Sequence, residues 1–401
     1  MEPTGDLFLK ANYLIDPSII EKLQFVVGSL NVLLDENDLL RYSLDAHRIW
    51  TRSETFEGKG KVAAIVRPSD TQQMVQLVKL ANHEKIPLIP FGSGTGVMGA
   101  INPVPGSVVV DLKGMTRILD IDPVSLTVKV ESGIILADLA EKLSNLDLML
   151  GHDPYSFPIA TIGGAISTNG VGYRAAKYGS MGDQVLGLEI VLPNAEILQT
   201  RAVQKTSAGP NLQSLFIGTE GVFGFITQAT LRVFRKPESR IFKTFSFDSF
   251  ENGFKAMNEM FSIGLNPSLI DLTEERLDKI DSYTGKGKYV TNLFLLLEGY
   301  KEEVNAQAER IPAICSKYEG LDIGPYLTEQ YWQDRHDSAY RFKEKYIEKP
   351  VYDWPESTGG QVVAYPHVAI PASEVLEYRR LAQQIVLNTN VEIIEYSCWT
   401  R

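Results

Sequence analysis

The sequence of 401 residues predicts an α+β fold, and three observations carry that expectation. Buried-strand and amphipathic-helix patterns alternate between Lys61 and Leu112, the mark of an α/β layer. Three glycine-rich segments, Phe91 to Gly99, Ile162 to Gly170 and Gly218 to Gly224, then interrupt strand patterns within the first 240 or so residues. Beyond Lys236-Pro237-Glu238-Ser239, strand and helix patterns alternate in an order that suits an antiparallel sheet covered by helices.

Residues 1–46 mix helical apolar spacing (Ile19, Leu23, Val26) with acidic loops and read as a helical lead-in. Val62 to Val66 reads as a buried strand, Pro68-Ser69-Asp70 as a helix start, and Met74, Val75, Val78 and Ala81 as one apolar helical face. Ile86 to Pro90 is the strand that feeds the first glycine segment, and Val108 to Leu112 follows it. A second sheet begins with a hairpin of Ile118 to Ile121 and Thr127 to Val130. It continues through a helix over Leu136 to Leu146 and a hairpin turning at Pro193-Asn194, and ends with Phe225 to Phe234. The last region shows strands at Phe242 to Phe247, Leu293 to Leu297 and Gln361 to Ala364, with helices around Gly253 to Ile263, Glu302 to Cys315 and Ser373 to Val386.

Size and charge narrow the partners. A chain of this length with 44% hydrophobic residues exceeds one ordinary core, and a formal charge of -11 argues against a nucleic-acid or anionic-membrane surface. Cys315 and Cys398 stand alone in sequence, which points away from a disulfide framework or a metal site. No apolar run approaches the ~20 residues of a membrane span, and the first residues lack a basic head with an apolar core. A cytoplasmic chain acting on a small molecule is expected.

The first glycine segment is the most informative. Between two strands, Gly92, Gly94 and Gly96 strip side chains from the backbone so that successive N–H groups can converge on one anion, with the Ser93 and Thr95 hydroxyls at the rim. Pro103 and Pro105 forbid a long helix after it, so a phosphate there would sit in a backbone nest rather than on a helix dipole. Taken alone, the loop also has a bland reading as a tight glycine turn.

The three segments, in this order and with Gly151-His152-Asp153-Pro154 between the first two, resemble the flavoproteins of vanillyl-alcohol-oxidase or PCMH type, over a stretch from Ala63 to Pro237. That family includes D-lactate dehydrogenases, the glycolate oxidase flavin subunit and alkylglycerone-phosphate synthase. The resemblance implies a FAD-binding domain of two α/β subdomains over residues 47–237 and an antiparallel-sheet cap domain over 238–401. It implies FAD contacts from Phe91, Gly92, Ser93, Gly94, Thr95, Gly96 and Val97, from Pro154 and Ser156, from Thr161, Gly163, Gly164, Ser167, Thr168 and Gly170, and from Glu220, Gly221, Gly224 and Ile226. No residue matches the family's covalent flavin link after the first loop, so dissociable FAD is expected.

The cap departs from the pattern. Where hydroxy-acid members carry His-x-Gly-Asp-Gly-Asn-x-His, this sequence reads Glu392-Ile393-Ile394-Glu395-Tyr396-Ser397-Cys398-Trp399, and the family's last segment is not matched before Arg401. The resemblance offers Arg335, in Trp332-x-x-Arg335, as a clamp for a substrate carboxylate. A proton acceptor is then sought in His336 or His367. His152 is expected to orient its loop, His47 and His83 to lack partners, and the pairs Glu274-Glu275 and Glu302-Glu303 to be solvated helix charges. These readings favour an FAD-dependent oxidoreductase that oxidises a small D-2-hydroxy acid by hydride transfer to flavin N5, without a metal. The alternatives are a synthase-like transferase on a glycerone-phosphate ester and a non-catalytic flavin-binding subunit. Loss of the family's last segment would expose apolar surface, make FAD a large contributor to stability, and favour a homodimer or a partner electron-transfer subunit.

Overall fold

The computed structural model describes residues 15–46, 62–101, 103–276, 289–354, 366–387, 389 and 391–399. Three sheets organise them. The first has the order β1-β2-β4-β3, with β1 at Val32–Leu33, β2 at Val62–Val66, β3 at Leu88–Phe91 and β4 at Ser107–Asp111. β4 pairs in parallel with both β2 and β3, and every residue of β2 and β4 is buried, as expected of strands covered on both faces. The Thr71–Glu84 helix joins β2 to β3. Asp70 caps it by accepting the Gln73 N–H at 2.9 Å, and Met74, Val75, Leu77, Val78 and Ala81 form its buried face. The lead-in is partly helical, at Pro17–Val27 and Glu36–Arg41, and it also supplies the edge strand β1.

The second sheet is antiparallel, in the order β5-β6-β10-β8-β9. Its members are β5 (Ile118–Asp122), β6 (Thr127–Glu131), β8 (Val185–Val191), β9 (Ile197–Gln199) and β10 (Phe225–Arg232). Val128, Val130, Leu188, Ile190, Ala229 and Leu231 alternate inward along these strands and pack on the Leu136–Ser144 and Ile162–Thr168 helices. The short pair β7 (Leu148–Met149) and β11 (Phe234–Arg235) closes one end. The second glycine segment, expected as an open loop, is therefore largely a helix. Thr161 caps it by accepting the Gly164 N–H at 3.1 Å, and position 163 has no room for a side chain, since a Cβ there would fall 2.8 Å from Ser132 Cβ.

The third sheet runs β15-β12-β14-β13-β16, all antiparallel: β12 at Ser239–Phe247, β13 at Leu269–Arg276, β14 at Tyr289–Gly299, β15 at Leu321–Gly324 and β16 at Glu395–Trp399. Phe245, Ile270, Leu272, Leu293 and Leu295 meet the Phe250–Ser262 and Lys301–Lys317 helices on one face. On the other, Leu269, Leu296 and Phe294 pack with Trp332 and Tyr331 of the Tyr326–Asp334 helix and with Tyr173 from the preceding half of the chain. Glu274 and Glu275 belong to β13, not to a helix. Glu274 is buried and paired with Arg379 of the Val375–Val386 helix. The expected strand at Gln361 to Ala364 and His47 lie outside the described residues.

Candidate functional site: a glycine-walled cradle beneath a histidine-bearing helix

The three glycine segments meet. The ideal Cβ of Gly92 would lie 2.5 Å from Thr161 Oγ1, so the first loop rests on the start of the second segment. Gly221 approaches Pro90 with the same 2.5 Å limit, which brings the third segment against the strand feeding the first. The second and third are joined by backbone bonds from Glu220 N–H to the Ser167 carbonyl (2.8 Å) and from Gly218 N–H to Ile166 (3.1 Å). The Tyr155 hydroxyl donates to the Thr95 carbonyl at 2.7 Å and so ties the Pro154–Ser156 turn to the same place.

This cradle suits a diphosphate nucleotide. Among the described residues, no acceptor takes the backbone N–H groups of residues 92–97, although buried or half-buried backbone donors are normally paired. Gly96 has open space where a Cβ would stand, while Gly94 (φ +68°) and Gly221 (φ +83°) hold a left-handed backbone that favours glycine. Ser93, Thr95, Val97, Gly164, Ser167, Thr168, Gly170 and Glu220 are at least partly accessible around it.

Several residues expected at the cofactor have their side chains, or the space beside their Cα, taken up by core packing. The Phe91 ring is buried beneath Gly94 against Tyr42, Gly224 packs on Ile190 and Val191, and the Ile226 side chain lies in the core of the second sheet. Each sits on a strand end or strand, where core packing claims the side chain. Pro154 and Ser156 are buried at the turn, and Gly163 is committed to its contact with Ser132.

Above the turn, Asp153 gathers three basic groups. Its Oδ1 is 2.7 Å from His336 Nε2, its Oδ2 accepts from Arg335 Nε at 3.2 Å, and Arg174 Nε is 3.7 Å away. Burial alone would raise the Asp153 pKa, but the His336 hydrogen bond and the Arg174 and Arg335 charges outweigh it and hold the carboxyl at about 2. His336 is the N-cap residue of the Asp337–Phe342 helix, and its ring stacks on Phe157 with centroids 5.3 Å apart and planes 7° from parallel. Ala339 and Phe342 of that helix pack with Val97 of the first loop, so the helix carrying His336 closes onto the cradle.

Arg335 stacks on Trp332, donates also to the Trp332 carbonyl, and directs Nε and Nη2 to Asp153. The expected carboxylate clamp thus already grips an internal carboxylate. His367, by contrast, is exposed and edges onto Trp399 of β16. His152 is buried with its ring against Gly170, its backbone N–H donates to Gln184 Oε1 at 2.9 Å, and burial pulls its pKa down to about 4. His83 is not alone, since Nδ1 lies 3.0 Å from Glu84. Glu303 meets Lys177 at 3.2 Å rather than solvent alone.

Sequence reasoning did not single out Asp153, Arg174, Tyr173 or Asp271. Asp153 lay inside a quoted motif whose role was read as loop-shaping. The Tyr173 hydroxyl donates to the Arg335 carbonyl (3.0 Å). Tyr331 donates to Asp271 (2.8 Å), whose carboxyl burial pushes up to about 7. A separate cleft of about 530 Å³ is lined by Leu148, Phe157, Arg174, Lys236 and Arg240 and touches none of the glycine-loop residues. Among the described residues no group of His, Cys, Asp or Glu is placed to hold a metal ion, and no helix is long and apolar enough to cross a membrane.

Comparison with known proteins agrees with this geometry. Residues 62–201 match the family model of the FAD binding domain. The chain is 30% identical over 322 residues to glycolate oxidase subunit GlcD of Bacillus subtilis, covering 79% of this chain and 67% of that protein. The chain belongs to the FAD-linked oxidases of PCMH type.

Within this family it is 33% identical over 282 residues to D-lactate dehydrogenase of Anaerostipes hadrus (70% of this chain, 57% of that one). To alkyldihydroxyacetonephosphate synthase of Trypanosoma brucei brucei it is 32% identical over 306 residues (69% and 50%). The fold is shared with a solved alkyldihydroxyacetonephosphate synthase at a TM-score of 0.71 and 24% identity, covering 83% of this chain and 65% of that one. It is also shared with p-cresol methylhydroxylase with substrate bound, at 0.63 and 23%, covering 79% and 66%. The chain thus spans between half and two thirds of these relatives. FAD is the cofactor of the family, and the open N–H groups and glycine walls of the cradle fit it.

Proposed function

We propose that the chain is an FAD-dependent oxidoreductase that oxidises a small D-2-hydroxy acid to the 2-oxo acid. The observation that carries this reading is the 2.7 Å contact between His336 and Asp153 at the edge of the cradle. An ionised Asp153 accepts Nε2–H and orients the ring, which leaves Nδ1 as the atom that would take a proton. Phe157 fixes the ring plane. FAD held by the first and second segments supplies a hydride acceptor at N5.

His336 takes the hydroxyl proton as the hydride leaves the α-carbon, so the substrate loses two electrons and two hydrogens. Arg335 keeps Asp153 charged, and the guanidinium donors that Asp153 and the Trp332 carbonyl leave free serve as the carboxylate clamp. Asp153 and Arg174 from the cofactor half meet His336, Arg335 and Glu298 from the half beyond residue 238, which supports reading residues 238–401 as a cap. A small-molecule substrate and dissociable FAD complete the reading, with a homodimer or an electron-transfer partner taking the electrons onward.

The test is anaerobic mixing of FAD-loaded protein with D-lactate, glycolate or D-2-hydroxyglutarate. Loss of the flavin absorbance with one of these acids supports the reading. Protein that none of them bleaches overturns it and favours the synthase-like transferase, to which the 32% identity with the trypanosomal enzyme also points.

A further inference from the structure

The three parallel strands β2, β3 and β4 end on the same edge of the first sheet, the edge at which open α/β sheets bind their ligands. Arg67 follows β2, the glycine loop follows β3, Asp111 ends β4 and Lys113 follows it. The side chains there form one cluster around Tyr42. Arg67 donates to Asp111 Oδ2 at 2.9 Å and to the Tyr42 hydroxyl at 2.7 Å, and that hydroxyl donates to Asp111 at 2.6 Å. Lys113 Nζ is 3.7 Å from Asp111 and lies 5.4 Å and 5.5 Å from the centres of the Tyr42 and Phe91 rings. Arg41 stands 5.8 Å from the Tyr42 ring.

The charges do not balance. Two cations, Arg67 and Lys113, share the fully buried Asp111, a third, Arg41, stands over the same Tyr42 ring, and Asp111 is the one carboxylate in an ion pair with any of the three among the described residues. Lys113 is half-buried, and burial together with Arg41 and Arg67 pulls its pKa down against the opposing pull of Asp111. Uncompensated positive charge away from solvent is costly and is normally retained only where something offsets it. The loop lies one ring away. A Cβ on Gly94 would fall 2.9 Å from Phe91 Cζ, and the Ala46 N–H, four residues after Tyr42, donates to the Gly94 carbonyl at 2.9 Å.

We propose that Lys113, with Arg41 and Arg67, supplies the counter-charge for the diphosphate of FAD, so that side chains beneath the loop, and not its backbone alone, select a phosphorylated flavin. This rests on the assignment of FAD to the cradle. Neither the loop motif nor its glycines encode it. Field lines from the cluster reach the loop through a low-dielectric aromatic layer, where charges are screened less than at the surface.

The experiment is equilibrium binding of FAD and of riboflavin, which lacks phosphate, to flavin-free protein at low and high salt. In Lys113→Gln the Kd for FAD should rise about tenfold at low ionic strength, with a flatter salt dependence, while riboflavin binding stays within about twofold. Lys113→Arg should restore FAD affinity. Arg41→Gln, on the rim of the cluster, should repeat the effect more weakly and guards against a folding defect in the lysine variant. An unchanged FAD affinity, or an equal loss for both flavins, overturns the proposal while leaving the cofactor assignment standing. Unsubstituted protein that binds neither flavin overturns both.

Discussion

His336 Nε2 and Asp153 Oδ1 are 2.7 Å apart, although 183 positions separate them in the chain. One residue belongs to the turn beside the glycine loops and the other to a helix that packs on them. The contact is therefore also a measure of whether the two halves are correctly closed.

Asp153→Asn keeps the size of the side chain but removes the charge that orients the His336 ring. Turnover should fall by about 10²–10⁴-fold with the flavin spectrum retained. His336→Gln should give a similar loss. Steady-state kinetics on FAD-loaded protein, with the absorbance spectrum as the control for cofactor content, checks both.

Two glycine substitutions separate backbone strain from occupancy of the cradle. Gly221→Ala places a Cβ 2.5 Å from Pro90 Cγ at a φ of +83°, so the protein itself should lose about 1–2 kcal/mol or more in urea unfolding. Gly96→Ala meets nothing within 4 Å, so flavin-free protein should melt as the parent does, while FAD affinity falls because the methyl enters the space the cofactor needs.

Asp271 and His152 impose opposite pH dependences. The Asp271 carboxyl, raised to about 7, favours the folded state while protonated, so its contribution declines as pH rises from about 4 to 7. The His152 imidazole, lowered to about 4, is buried neutral, so its contribution declines as pH falls from about 6.5 to 4. The two offset each other in the parent. Asp271→Asn should expose the histidine and make stability drop on acidification below pH 6.5, with a slope approaching about 1.4 kcal/mol per pH unit in denaturant titrations.

Arg379→Ala should cost about 3–5 kcal/mol, since it strands the buried Glu274 carboxylate on β13 without its partner. Glu274→Gln in the same background should recover most of that loss. Urea unfolding of the single and double variants gives the coupling directly.

The sequence made the first two sheets legible because their strands are bounded by glycine and proline and carry regular apolar periods. Val62 to Val66, the Thr71–Glu84 helix and the hairpins around Asp122-Pro123 and Pro193-Asn194 all stand where the pattern put them, within a residue or a few. β13, β15 and β16 were hidden. Leu269-Ile270-Asp271-Leu272-Thr273-Glu274 mixes acids into a strand because Asp271 and Glu274 find partners far away, in Tyr331 and Arg379, and a single sequence does not show such partners. The glycine segments announced the cradle, but that the side chains of Phe91 and Ile226 turn into the core and that Gly224 abuts Ile190 and Val191 was not legible, since strand register decides which face a side chain takes. Asp153 was missed for the converse reason: its importance lies in what converges on it from Arg174, Arg335 and His336, not in its own neighbours in the sequence.

The passage from β3 to β4 joins two parallel strands, a crossing that a helix usually makes. Here the described residues 92–101 and 103–106 form no helix, and the N–H donors of 92–97 that a helix would satisfy internally have no acceptor among the described residues. FAD bound there, as proposed, would stand in for a piece of secondary structure, and limited proteolysis should nick the chain between Ser93 and Gly106 only until flavin is added.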